Sequence, residues 1–153
     1  MNQVNFRPAT RQDLPDIVRM LADDELGSQR EKCEDPLPEP YYIAFEQINR
    51  NADHRLIVAE LDGKVIGTLH LIFLPSISYR GGLRAQVESV RVDRQYQNLG
   101  IGSEMMKWTI ARAKEDGARM VQLTTHKTRQ AAHRFYKRLG FKGNHLGMKL
   151  DLG

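Results

Sequence analysis

The chain contains one cysteine, Cys33, so no internal disulfide can form. A reducing cytoplasm is the expected compartment. Cys33 sits in an acidic stretch without a neighbouring base, which argues against a nucleophilic role. No run approaches the roughly 20 apolar residues of a membrane-crossing helix. The longest, Leu69 to Leu74, is strand-sized and interrupted by His70, so no membrane partner is expected. The opening Met1-Asn2-Gln3-Val4 has no charged stretch followed by an apolar one, and no secretory leader is expected. No segment repeats at 20 to 50 residues and none is of low complexity. His54, His70, His126, His133 and His145 lack the spacing of metal ligands, so no metal is expected. The basic half lacks interleaved aromatics and a helix-turn-helix pattern, so no nucleic acid is expected either.

The 153 residues suit one domain spanning 1–153. Apolar residues at 41% and charged residues at 27% are ordinary for a folded globule, which excludes disorder along the whole length. The formal net charge is +4, and its sign changes along the chain. Acids dominate from Asp23 to Glu39, and bases dominate from Arg84 onward. One end suits a cationic ligand and the other an anionic one, although two solvated faces would look the same.

Val4 to Arg7 reads as a short strand. Thr10 and Asp13 form a capping-box pattern ahead of a helix with Leu14, Ile17, Val18 and Leu21 on one stripe. Gly27 to Pro40, with three prolines, reads as a loop, and Tyr41 to Ile48 as a short helix. Asp62-Gly63 between two strand-like runs, Leu56 to Leu61 and Lys64 to Leu74, predicts a hairpin. Pro75 to Leu83 is expected to turn, and Ala85 to Asp93 to form a strand with Val90 and Val92 on the face of Gln86 and Glu88. A helix follows from about Gly102 to Asp116, then a strand over Met120 to Thr125. Thr128 is placed to cap a helix with Ala131, Ala132, Phe135 and Leu139 inward, stopped by Gly140. Leu146 to Leu150 reads as a last strand. The order predicts an α/β (α+β) fold: a mixed sheet with helices on its faces.

The informative segment is Gln97-Asn98-Leu99-Gly100-Ile101-Gly102-Ser103, between a strand and a helix. A helix start exposes unpaired N–H groups and carries partial positive charge, and glycine lets the backbone approach a ligand. Together they make a cradle suited to a pyrophosphate. A tight turn without a ligand is the alternative. A dinucleotide fold fits poorly. Position 105 is Met105 rather than glycine, and Arg119 to His126 contains no acid. Gly-Lys-Ser/Thr is also missing, against an ATP loop.

The segment resembles the acetyl-CoA signature Gln/Arg-x-x-Gly-x-Gly/Ala of the GCN5-related N-acetyltransferase (GNAT) family, with Gln97, Gly100 and Gly102 in place. Ala132 to Phe141 resembles the family's late helix, which ends in Tyr-x-x-Leu-Gly-Phe, and Phe6 to Asp13 resembles its first strand and turn. The resemblance implies a mostly antiparallel, twisted sheet of six to seven strands with about four helices, its two central parallel strands splayed. It implies acetyl-CoA as acetyl donor, held by Val90, Arg91, Val92, Gln97, Asn98, Leu99, Gly100, Ile101, Gly102, Ser103, Arg129 and Tyr136. Pantetheine would pair with the backbone of Val90 and Val92, as an added strand would. The family's common asparagine near the start of the late helix is replaced by Thr128-Arg129.

The implied reaction is acetyl transfer to a primary amine, expected to be a small molecule, by direct attack in a ternary complex. A protein lysine or N-terminus is the alternative acceptor, and a CoA-binding regulatory module without turnover is the alternative function. A homodimer stays open. An alkyl amine of pKa about 10.4 is neutral in only about one molecule in 2,500 at pH 7, a deficit of about 4.6 kcal/mol. Glu88, on the strand where the family often places its base, is the candidate proton acceptor. Tyr136 occupies the position of the family's general acid for the departing thiolate. A backbone N–H near Val90 is the candidate donor to the oxyanion. The acidic segment Asp23 to Glu39 maps onto the family's variable cover of the acceptor site.

Overall fold

The structure, a computed structural model, describes residues 2–153; Met1 lies outside the described residues. The chain divides into two compact units, Met1–Gln122 and Leu123–Gly153.

In the first unit, β1 (Asn5–Pro8) leads through a 3-10 turn, Arg11–Asp13, to α1 (Leu14–Ala22), α2 (Glu25–Arg30) and α3 (Glu39–Asn49). The hairpin β2 (His54–Leu61) and β3 (Lys64–Leu74) turns at Asp62 and Gly63, with φ of 52° and 78°. Two successive positive φ values are what a tight hairpin turn requires. A single turn, α4 (Ser78–Gly81), precedes β4 (Arg84–Val92), α5 (Ile101–Glu115) and β5 (Met120–Gln122). The sheet order is β1-β2-β3-β4-β5, antiparallel except for the parallel pair β4–β5.

Helical spacing places Leu14, Ile17, Val18 and Met20 of α1 in one buried cluster with Leu37, Phe45, Val58 and Val65. Helix α5 buries Met105, Met106, Thr109 and Ala113 and packs on β3 and β4. The capping box forms as expected: the Asp13 carboxylate accepts from Thr10 N–H at 2.7 Å and from Arg7 Nη1 and Nη2 at 2.7 and 3.0 Å. Arg7 also pairs with Glu60. These bonds, Arg7 first, hold the Asp13 carboxyl below its usual 3.8 although burial acts the other way. Asp13 is 7% exposed, so Asp13→Asn is expected to cost about 2–4 kcal/mol in urea unfolding. The depressed folded value means this stability is present above the unfolded pKa near 3.8 and is lost as pH falls through the folded value.

The second unit holds α6 (Gln130–Arg138) and a tail without regular secondary structure. Gly140, at φ 101°, closes α6. Its N–H donates to Lys137 O at 3.0 Å and the Phe141 N–H donates to Tyr136 O at 3.1 Å, the paired bonds of a glycine-capped helix end.

Among the described residues, five strands and six α-helices stand where six to seven and about four were expected. The strand expected over 146–150 does not form. Leu146, Met148 and Leu150 alternate but are 65, 83 and 85% exposed, and alternation makes a strand only where a neighbouring strand completes the ladder. The strand expected to reach Thr125 ends at Gln122. The expected Gly27 to Pro40 loop opens inside α2, because the Asp24 carboxylate accepts from Gly27 N–H at 2.5 Å and caps that helix. Thr128 does not cap α6: Arg129 is its N-cap residue, the Thr128 hydroxyl bonds His126 Nδ1 at 2.8 Å, and Ala131 is exposed.

Candidate active site

The parallel ladder is short. It pairs Arg84 with Met120, Ala85 with Val121 and Gln86 with Gln122, whereas β4 runs on to Val92. Backbone groups from Val87 to Val92 therefore lie outside the β4–β5 ladder, on the edge where the expected pantetheine arm would add as a strand.

Within that stretch β4 carries a bulge. His70 faces Glu88 and Thr68 faces Arg91, so three steps on β4 oppose two on β3. Ser89 absorbs the extra residue with φ 54°, a conformation costly for a non-glycine residue and concentrated at functional sites. The bulge corrects the expected facing. Glu88 shares a face with Arg91, through their partners His70 and Thr68, while Val92 pairs with Gly67 on the opposite face and Val90 goes with it. One inserted residue reverses every side chain beyond it. The Val90 N–H now follows directly on the bulge.

Glu88 is exposed. Its Oε1 accepts from Gln86 Nε2 at 3.4 Å, and Gln86 Oε1 accepts from Gln122 Nε2 at 2.8 Å. Arg84, Gln86 and Glu88 form one row on this face. Beside the row, His54 Nδ1 and His70 Nε2 lie 3.0 Å apart. Burial, and then the neighbouring His54, push His70 down to about 4, so it is neutral at physiological pH.

The loop beyond β4 is anchored at both ends. Asp93 is buried, accepts from Gln95 N–H and Arg19 Nη1 at 3.0 Å each, and donates its own N–H to Ile66 O at 2.8 Å. Burial alone would raise its carboxyl, and these hydrogen bonds reverse the sign and hold it low. Gln97 Nε2 donates to Val92 O at 3.1 Å, tying the signature glutamine to the end of β4. Asn98 and Gly100 follow with φ of 64° and 83°, and Gly100 is the N-cap residue of α5. The N–H groups of Ile101, Gly102 and Ser103 open this helix, where no intrahelical acceptor exists. Leu99 is 67% exposed at the tip. A left-handed turn opening a 15-residue helix beside an unladdered strand edge fits the pyrophosphate and pantetheine arm of acetyl-CoA.

Tyr136 and Arg129 belong to the second unit. The Tyr136 ring is half-buried, packed edge-on between Phe135 and Phe141 at centroid distances of 5.1 and 5.8 Å.

Sequence reasoning missed the Ser89 bulge, since no glycine or asparagine marks it. It also missed the Arg19–Asp93 anchor and the Gln122–Gln86–Glu88 chain, which join residues distant in sequence. The acids of the expected cover are partly neutralised: Asp23 pairs with Arg94 at 2.9 Å and Asp24 with Arg91 at 3.7 Å. Among the described residues no metal-binding cluster is found, and no helix is long and apolar enough to cross a membrane.

A sequence model of the Acetyltransferase (GNAT) family matches residues 17–141. The N-alpha-acetyltransferase of Sulfurisphaera tokodaii is 33% identical over 69% of this chain and 68% of its own length. The aminoalkylphosphonate N-acetyltransferase of Salmonella typhimurium is 31% identical over 67% of this chain and 65% of its own. The crystal structure of a transcriptional regulator from Bacillus halodurans C-125 superposes with a TM-score of 0.95 at 45% identity, covering 98% of this chain and all of that one. A match over most of the chain, on a fold whose bulged strand and glycine-opened helix suit the acetyl donor, gives the conclusion directly: this chain belongs to the acetyltransferase (GNAT) family of acetyl-CoA-dependent acyltransferases.

Proposed function

We propose that the chain works as one N-acetyltransferase domain, acetylating a small-molecule primary amine in a ternary complex. The observation that supports this reading is the Ser89 bulge, which interrupts the β3–β4 pairing between Glu88 and Arg91 on a stretch of β4 that lies beyond the β4–β5 ladder.

Acetyl-CoA, when bound, supplies an acetyl group activated as a thioester. The N–H groups of Ile101, Gly102 and Ser103 hold the pyrophosphate, with Gly100 and Asn98 shaping the turn. The Val90 N–H donates to the oxygen that gains negative charge. Glu88 takes the proton of the acceptor ammonium, directly or through water, and so offsets the deficit of about 4.6 kcal/mol at pH 7. Gln86 engages one of its oxygens and leaves the other for that proton. Tyr136 returns a proton to the departing thiolate: with cysteine as the model thiol, of pKa about 8.5, that proton is within reach of a phenol near 10. Arg91 and Val92 contribute backbone contacts to the donor, and Arg129, in the second unit, is assigned to the donor by the family resemblance. A reducing cytoplasm fits the single, exposed Cys33. The exposed alternation of Leu146, Met148, Leu150 and Leu152 supports a homodimer as the working assembly.

The experiment is a panel of amines with acetyl-CoA, following free thiol. Amine-dependent thiol release is the expected result. Two other readings have an observation behind them. The Sulfurisphaera tokodaii relative named an N-alpha-acetyltransferase favours an α-amine acceptor such as a peptide N-terminus, so peptides belong in the panel. The relative called a transcriptional regulator favours a CoA-binding module, which would bind acetyl-CoA and release no thiol with any amine.

Tyr136→Phe removes one hydroxyl and little shape. It is expected to leave acetyl-CoA binding nearly intact and to lower kcat at least tenfold. Turnover at the wild-type level would make Tyr136 a packing residue.

A further inference from the structure

We infer that the acceptor is an amine that also carries an anion, and that Arg84 binds the anion. The inference rests on Glu88 as the residue that receives the amine.

Arg84, Gln86 and Glu88 alternate along β4 before the bulge, opposite Leu74, Ile72 and His70 of β3, so all three share one face. The row is a cation, an amide and a carboxylate in that order. Four residues of strand separate the charged ends by about 13 Å at Cα. A short ligand with opposite charges at its two ends fills that span together with the two side chains.

The arginine has a donor set without a counter-ion. Its Nη2 donates to Ser76 Oγ at 3.0 Å and to Ser78 Oγ at 2.8 Å, and these hydroxyls stand 2.7 Å from each other. Its Nε is buried and has no acceptor. Among the described residues no carboxylate pairs with it. Its neighbours on the strand and loop are treated differently: Arg91 has Asp24, Arg94 has Asp23, and Arg19 has Asp93. Neutral hydroxyls orient a guanidinium without balancing its charge, and a part-buried charge left unbalanced is costly. With Nη2 held by the two serines and Nε buried, Nη1 is the donor left for a carboxylate, phosphate or phosphonate. Arg80 and Arg119 line a cavity of about 380 Å³ with Tyr79. The Arg119 N–H donates to Leu83 O at 2.7 Å, next to Arg84, so the field at this end of β4 is positive. Tyr79, Arg80 and Gly81 all have positive φ, at 53°, 59° and 75°, and the strained turn lies directly beside Ser78.

The neutral filling of the row also has a place. Gln86 between the two charged ends keeps Glu88 from collapsing onto Arg84, because its amide donates to Glu88 and its carbonyl is taken by Gln122. Both ends stay available to a ligand.

The test compares ω-aminoalkylphosphonates of two to six carbons with alkylamines of the same length, at equal concentrations of neutral amine. For the wild-type protein, kcat/KM is expected to favour one phosphonate chain length at least tenfold over its alkylamine. In Arg84→Gln that preference should fall by roughly 10- to 100-fold, mainly through KM, the usual weight of a charge-assisted hydrogen bond. Arg84→Lys should keep part of it. Thermal stabilisation by acetyl-CoA shows that each variant is folded. Equal use of phosphonates and alkylamines by the wild type, or a preference that survives Arg84→Gln, overturns the inference and leaves amine acetylation standing. Turnover of no amine at all overturns both.

Discussion

Glu88→Gln is expected to lower kcat by roughly 10² to 10⁴, the range of a general base. The two side chains are nearly isosteric, and the carbonyl oxygen of glutamine can still accept from Gln86, whose amide lies 3.4 Å from Glu88 Oε1. Fold and acetyl-CoA binding should therefore persist. The loss should shrink as pH rises from about 6 to 9.5, because more acceptor is already neutral near its pKa of about 10.4. A carboxylate that merely binds the ammonium form behaves differently. Its removal raises the acceptor KM at neutral pH and leaves kcat almost unchanged. Measuring kcat and KM separately across this range decides between the two, and a pure KM effect removes Glu88 from the chemistry.

Replacement of Gly100 by valine should abolish stabilisation by acetyl-CoA. Nothing lies within 4 Å of the position a Cβ would take, so the protein itself leaves room. The obstacle is conformational: φ is 83°, and Gly100 is the N-cap residue of α5. A β-branched residue resists that conformation at a cost of about 1–2 kcal/mol. Relieving it rotates the backbone whose N–H groups are proposed to hold the pyrophosphate, and the added side chain stands in the open space where the anion would approach. Thermal shift with and without acetyl-CoA reads the result. An unchanged shift in Gly100→Val would sink the loop assignment, and Gly100→Ala should fall between the two.

Local patterns were enough for much of the chain. The spacing of Leu14, Ile17 and Val18, the Asp62-Gly63 turn, the Thr10–Asp13 box and the Gly140 stop each act within a few residues of themselves, so a linear reading finds them. The run from Gln97 to Ser103 was legible for the same reason, since a strand, a left-handed glycine and a helix start are consecutive. Three matters were decided by residues far apart in sequence. Whether 146–150 becomes a strand depends on an edge that no local pattern specifies, and its apolar side chains stay exposed. The facing of Glu88 against Val90 depends on register with β3, and an unmarked bulge at Ser89 reverses it. The role of the acids depends on which arginines reach them: Arg94 and Arg91 reach Asp23 and Asp24, while Arg84 receives two serines. Periodicity and turn chemistry are properties of neighbours along the chain. Register, ion pairing and the side-chain row along β4 are properties of neighbours in space, and only the folded sheet brings those together.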